Sequence, residues 1–276
     1  MDIGVFFFST EYSIRVDELA VALEERGLES LFLCEHTHIP TSRLSPWPGG
    51  DELPREYSHT HDPFVALSFA AAATSRLKIG TGICLVTQRD PIVTAKSVAS
   101  IDRMSNGRFI FAIGAGWNQE EMNNHGTQYK TRFKLMRERV LAMKELWTHD
   151  ESEFHGEFVD FDLSWCHPKP TQKPHPPILL GGESDYTLQR VVEYCDGWFP
   201  RGGNFNAESD MARLRAAAEA GNRDPQELSV HVFRPDADQA SLEKLRSAGV
   251  SRALLGVPSD SRDQVLPILD SYAKLT

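Results

Sequence analysis

The sequence predicts an α/β protein of the (β/α)8 type, a TIM barrel with insertions at its C-terminal mouth. Three observations carry this. Strand-like apolar runs alternate eight times with helix-like segments within 276 residues. Several of the strands end in small residues, leaving bare backbone where parallel α/β folds bind ligands. No linker, low-complexity run or short repeat divides the chain, so residues 1–276 read as one domain. A doubly wound open sheet is the alternative, but it seldom needs eight units.

Taken in order, the strand candidates are Ile3–Ser9, Ser30–Glu35, Lys78–Val86 and Phe109–Ile113, then Ile178–Leu180, Gly197–Pro200, Ser229–Phe233 and Arg252–Gly256. The helices that follow them are Val16–Arg26, Pro63–Thr74, Pro91–Met104 and Thr131–Trp147, then Asp185–Cys195, Ala207–Ala220, Gln239–Ser247 and Asp260–Leu275. Lys78–Val86 mixes β-branched, glycine and apolar positions, as a strand buried on both faces does. Pro91 suits the first helical turn, where its missing N–H would lack a partner anyway. Ile92, Ala95, Val98, Ala99 and Met104 then recur at helical spacing, and Ser105-Asn106-Gly107 ends the run with a glycine fit for left-handed backbone.

Two interruptions break the rhythm. Thr37 to Asp62 holds prolines, glycines, histidines and aromatics after the second strand, so it should cover the mouth as a lid or binding segment. Asp150 to Pro177 contains EFHGEFVDF, which suggests a hairpin turning at His155-Gly156.

Composition narrows the function. A formal charge of −10 argues against nucleic acid as the main partner. No run of about 18 apolar residues suggests a membrane span. The chain enters a strand at Ile3 without a basic segment and cleavage site, so no signal peptide is expected and the expected location is the cytoplasm. Cys34, Cys84, Cys166 and Cys195 are scattered and read as buried thiols.

Gly181-Gly182-Glu183-Ser184 lies between a strand and the helix that starts near Asp185. Backbone N–H groups and the positive helix end there suit a phosphate, though an ordinary capped glycine turn has the same letters. His36-x-His38 and His59-x-His61-Asp62 raise a metal site, but the later strands end in Gly181-Gly182, Pro200-Arg201 and Val257-Pro258, without further ligands. No metal is therefore expected.

The ordered set Glu35-His36, GTGICLVTQRDP, AKSVASIDRMSNGR, FAIGAGWNQEE, HPPILLGG and DGWFPRGG resembles the luciferase-like monooxygenase superfamily. Within it, the pattern is most similar to the actinobacterial oxidoreductases that use the deazaflavin coenzyme F420. The resemblance runs from the first strand to the last helix and implies a bacterial-luciferase-like barrel, a homodimer, and a flavin or deazaflavin across the mouth. It implies a phosphate site at Gly181, Gly182, Ser184 and Asp185, and a cis peptide at Gly82-Ile83 beneath the central ring. It gives Glu35 a coenzyme contact, where the family more often has aspartate, and gives His36 proton transfer, with Glu35 and His36 as the catalytic pair. Ala115, Gly116 and Glu120 are further implied coenzyme contacts. Trp117 and Arg201 would meet the substrate, and Arg89 would face the mouth beside them. Relatives that oxidise sugar phosphates have an acidic residue where this chain has Trp117, and a lysine near Asn204, which argues against glucose 6-phosphate. The implied function is hydride transfer between F420 and a small organic substrate. The alternatives are an FMN-dependent monooxygenase and a non-catalytic flavin-binding protein.

Overall fold

The computed structural model describes residues 1–276. In chain order it begins β1 (Asp2–Phe7), α1 (Val16–Glu25), β2 (Ser30–Leu33), α2 (Pro63–Ala73), β3 (Lys78–Leu85) and α3 (Pro91–Met104). Next come β4 (Phe109–Gly114), α4 (Gln119–Asn124), α5 (Arg132–Thr148), β5 (Glu151–His155) and β6 (Asp160–Trp165). The last elements are β7 (Ile178–Gly181), α6 (Asp185–Tyr194), β8 (Gly197–Phe199), α7 (Ala207–Ala220), β9 (Ser229–Phe233), α8 (Gln239–Ser247), β10 (Arg252–Val257) and α9 (Arg262–Tyr272). Eight strands form a closed parallel barrel in the order β1-β10-β9-β8-β7-β4-β3-β2, while β5 and β6 pair only with each other. The open-sheet alternative is excluded, because β1 pairs with both β2 and β10.

Local signals set the helix ends. Asp62 and Asp90 cap α2 and α3, accepting from the N–H groups of Val65 and Val93 at 3.0 and 2.9 Å, each followed by proline at the first helical position. Gly107 ends the α3 segment with φ +77°. Short α4, which sequence periodicity missed, is started by Asn118, whose side chain accepts from Glu121 N–H at 3.1 Å. No helix is long and apolar enough to cross a membrane.

Side chains alternate along each strand between the barrel interior and the surrounding helices. The outer layer holds a cluster of 54 buried residues, against nine inside, so most of the apolar core lies between strands and helices. The interior is filled largely by rings. Phe6, Phe8, Phe32 and Phe199 share it with Cys34, Ile110, Ala112, Leu179 and Leu254. Gly80 on β3 is required by Phe32, since a Cβ there would stand 2.6 Å from the ring.

The N-terminal end of the barrel is closed by charge. Arg252 on β10 reaches Glu29 at 2.7 Å and Asp2 at 3.4 Å, and donates to His231 Nδ1 at 2.9 Å. Burial first, and then the guanidinium beside it, hold the His231 imidazole well below its usual pKa, which leaves a neutral ring to accept that bond.

The two insertions lie at opposite ends. Residues 37–62 cover the mouth as expected. The hairpin β5–β6 turns beyond His155 as expected, but it follows a helix and precedes a strand. Its return segment therefore runs along the N-terminal end, where Gln172 Nε2 donates to Asp102 Oδ1 at 2.6 Å and to the Phe109 carbonyl at 2.8 Å. This corrects the expectation of insertions at the mouth alone.

Candidate active site

The floor of the mouth is aromatic. Tyr57 and Phe233 pack on the interior rings, with Phe8 to Tyr57 at 4.7 Å and Phe6 to Phe233 at 4.3 Å between centroids. The Gly82–Ile83 peptide is cis, and the β3–β4 register shifts between Thr81 and Cys84. Ile83 then projects over β4 and β7. A Cβ on Gly114 would collide with Ile83 Cδ1, and one on Gly181 would lie 3.5 Å from its Cγ2. The result is an apolar ledge beside bare backbone at the ends of three neighbouring strands.

His36 lies just beyond β2, in line with the inward positions Phe32 and Cys34. Its Nδ1 bonds Glu121 Oε2 at 2.8 Å, with side chains only 6% and 1% exposed. Glu121 Oε1 also accepts the N–H of Thr37 at 3.2 Å. An ionised carboxylate only accepts, so Nδ1 carries hydrogen and Nε2 is left for another partner. Tyr57 and Trp117 flank the imidazole, with centroids at 5.3 and 5.8 Å. Burial raises the pKa of the Tyr57 phenol and keeps it protonated.

Glu35 departs from expectation. It shares the outward parity of Leu31 and Leu33 and is 4% exposed. One oxygen accepts the Leu85 N–H at 2.6 Å and the other pairs with Arg89, which also binds Asp62. Burial would lower the Arg89 pKa, but the Glu35 carboxylate holds it above its usual range. Glu35 is thus a strut tying the ends of β2 and β3 to the cap of α2, without access to the mouth. Arg89, expected to face the mouth, belongs to the same strut.

The residues after β7 form a glycine turn that leads into a capped helix. Gly182 has φ +118°, where a side chain would strain the backbone and approach Thr187 Oγ1 at 2.9 Å. Ser184 caps α6, accepting from Thr187 N–H at 3.2 Å. Glu183, an awkward neighbour for a phosphate, is paired with Arg201 at 2.8 and 3.1 Å. Asp185 is held by Arg213 at 2.6 Å. Arg201, expected to meet the substrate, thus forms a half-exposed ion pair with Glu183.

Beyond β4, Ala115 is buried and Gly116 has φ +79° beneath Met122. Glu120 accepts the N–H of Ser45 at 3.2 Å, and Ser45 Oγ accepts the N–H of Gln119 at 3.0 Å. Hydrogen bonding to the Ser45 side chain, more than that backbone bond, lowers the Glu120 pKa, and the residue pins the lid rather than lining the ledge. His125 and His38 extend the seam through Thr37 at 2.7 Å and Asn124 at 2.8 Å. The remaining histidines of the two motifs bind elsewhere, His59 to Glu11 and His61 to Ser9.

The structure thus gathers His36, Ile83, Gly116, Trp117 and Gly181–Asp185 around one opening, and removes Glu35 and Glu120 from it. Glu121 and Tyr57 are added. The cap spacing Asn118-x-x-Glu121 was a visible signal for Glu121, since the third helical residue of such a cap commonly reaches back past the helix start.

A family model described as luciferase-like monooxygenase matches residues 1–260. An uncharacterized protein of Mycobacterium tuberculosis is 34% identical over 279 residues, covering 99% of this chain and 98% of the relative. Among solved structures, an F420-dependent secondary alcohol dehydrogenase in complex with an F420-acetone adduct superposes with TM-score 0.78 at 18% identity, covering 100% of this chain and 98% of the other. Monooxygenase RslO1 from Streptomyces bottropensis does so with TM-score 0.78 at 19% identity, covering 99% and 98%. At these identities the structural likenesses establish the fold.

The strut assignment for Glu35 is testable by stability. Arg89→Met leaves a buried carboxylate without its cation and should cost about 3–5 kcal/mol in urea unfolding, as breaking a buried pair does. Adding Glu35→Gln should recover much of the loss. A neutral Arg89→Met, or a double variant no better than the single, would contradict the assignment.

Proposed function

The chain belongs to the luciferase-like monooxygenase family and is an enzyme of its oxidoreductase barrels, and on that premise we propose that it transfers a hydride between coenzyme F420 and a small organic substrate. The supporting observation is that an apolar ledge, a glycine phosphate loop and a buried Glu121–His36 pair open on one mouth. The residues fit such a coenzyme. Gly181 leaves bare backbone where a Cβ would fit, Gly114 makes room for Ile83 and Gly182 for Thr187, and Arg201 neutralises Glu183 so that a second anion is tolerated beside it.

When bound, the deazaflavin supplies the ring carbon that carries the hydride. Gly181, Gly182, Ser184 and the start of α6 would hold its phosphate, with Asp185 drawn aside by Arg213. Ile83, Ala115 and Gly116 would seat its ring. His36 moves a proton at Nε2 to or from the substrate, while Glu121 fixes the ring orientation and balances the charge that forms. Trp117, Tyr57 and the lid exclude water from the reacting atoms.

FMN would fit the same cradle, and the likeness to a monooxygenase keeps an oxygen-using reaction as the second reading. A protein that only stores flavin has no need of the buried Glu121–His36 pair. The reading also includes a homodimer. Helix α2 is apolar at every position except Ser68, and Val65, Phe69 and Val93 remain 61%, 57% and 63% exposed along α2 and α3. Contiguous apolar surface of this kind marks an interface.

Three measurements check these statements. In fluorescence titration F420 should bind more tightly than FMN; equal or reversed preference, with oxygen consumed on turnover, would transfer the assignment to the monooxygenase. His36→Ala should slow single-turnover hydride transfer by about 10²–10⁴-fold, the usual range for general acid–base groups, and weaken coenzyme binding far less. An unchanged rate would remove His36 from the proton chemistry. In light scattering the protein should run as a dimer that Phe69→Glu with Val93→Glu converts to monomer, and a wild-type monomer would refute the interface.

A further inference from the structure

Four non-glycine residues have left-handed backbone. Asn106 and Asn222 stand behind helices, where asparagine is ordinary, but the other two are arginines, Arg43 and Arg234, each at φ +50°. Arg43 lies in the lid, its guanidinium carbon 6.0 Å from the centre of the Trp117 ring. Arg234 directly follows β9 and is fixed more firmly. Its N–H bonds the Leu254 carbonyl at 2.8 Å, and Gly202 packs so closely on Pro235 that a Cβ would lie 2.5 Å from the proline backbone.

The side chain of Arg234 enters the mouth. Gly256 on β10 shares the inward parity of Leu254, and a Cβ at Gly256 would meet Arg234 Nε at 2.9 Å and Cγ at 3.4 Å. The arginine stem thus fills the space of an inward side chain. Its exposed guanidinium is held by no carboxylate, whereas Arg89, Arg201 and Arg213 are all ion-paired. Tyr57 lies within electrostatic reach of it, and Tyr57 in turn packs near His36, with ring centroids 5.3 Å apart.

Strand order separates this cation from the coenzyme cradle. The ledge, Gly116 and the phosphate loop follow β3, β4 and β7, which are neighbours in the barrel. Arg234, Gly256 and Phe8 belong to the neighbours β9, β10 and β1 on the opposite arc. We propose that Arg234 is the substrate-anion residue of this mouth, and that the substrate is an organic acid whose carboxylate or phosphate pairs with Arg234 while its reacting carbon faces His36. This rests on the hydride-transfer reading for the identity of the reaction, but not for the selection of charge.

Benzoate and its neutral isostere benzamide are suitable probes, titrated calorimetrically into the full chain with and without F420. Arg234→Asn removes the charge while tolerating left-handed backbone, and Arg234→Lys keeps the charge. Benzoate should bind wild type about tenfold or more tightly than benzamide, in a salt-sensitive manner, and Arg234→Asn should abolish that preference, as loss of a charge-assisted hydrogen bond does. Arg234→Lys should retain most of it, and circular dichroism should match wild type in both variants. Equal binding of the two probes, or an undiminished preference in Arg234→Asn, would overturn the proposal. A variant that binds benzoate normally but loses F420 would assign the guanidinium to the acidic tail of the coenzyme and equally overturn it. Charge selection in the free protein that persists when neither F420 nor FMN binds would refute the coenzyme reading and leave the anion site standing.

Discussion

Everything at this mouth depends on the two-residue period of parallel strands locked into a closed ring. Because neighbouring strands hold one another in register, a position near the end of a strand has its direction set by the residues before it. Phe32 and Cys34 point inward, so His36 continues toward the opening, while Leu31 and Leu33 point outward and carry Glu35 with them. One step along the chain separates a residue that faces the opening from one that braces the wall. The brace matters in its own right, since Arg89 joins Glu35 to Asp62 and couples the opening to the cap of α2.

The fold was legible because each unit carries its own punctuation. Proline after aspartate starts α2 and α3, and glycine ends the α3 segment, so those boundaries are written locally. The glycine loop after β7 was legible for the same reason. The parity of Glu35 was also present in the letters SLFLCEH, but it becomes decisive only once β2 is known to be flanked by β1 and β3 with helices outside. The Glu121–His36 bond spans 85 positions and joins the loop after β2 to α4. No periodicity predicts such a meeting, and α4 is too short to announce itself by amphipathic spacing. The end on which the β5–β6 hairpin lies follows from connectivity alone, as a segment entering a strand must begin at its N-terminal side.

Charge is distributed with a consistent logic in this acidic chain. Several carboxylates around the opening are occupied: Glu35 by Arg89, Glu183 by Arg201, Asp185 by Arg213, and Glu121 by His36 and Thr37 N–H. Pairing keeps the negative excess from repelling an anion at the opening, because a neutralised carboxylate projects little field beyond its partner. Against that background a guanidinium without a carboxylate partner, such as that of Arg234, stands out.

The Arg252 cluster has a consequence for how the chain can be divided. It binds Asp2 of β1 and Glu29 just before β2 to His231 and Arg252 from the last two strands, so the ring is fastened across its own seam. Removing the final strand would strip that fastening and leave β1 and β9 as unpaired edges, which template aggregation when long and apolar. The two arcs of the opening are therefore not separable modules. A graft that exchanges the β9–β10 arc for that of a relative must bring a matching arginine, or rebuild the far end of the barrel as well.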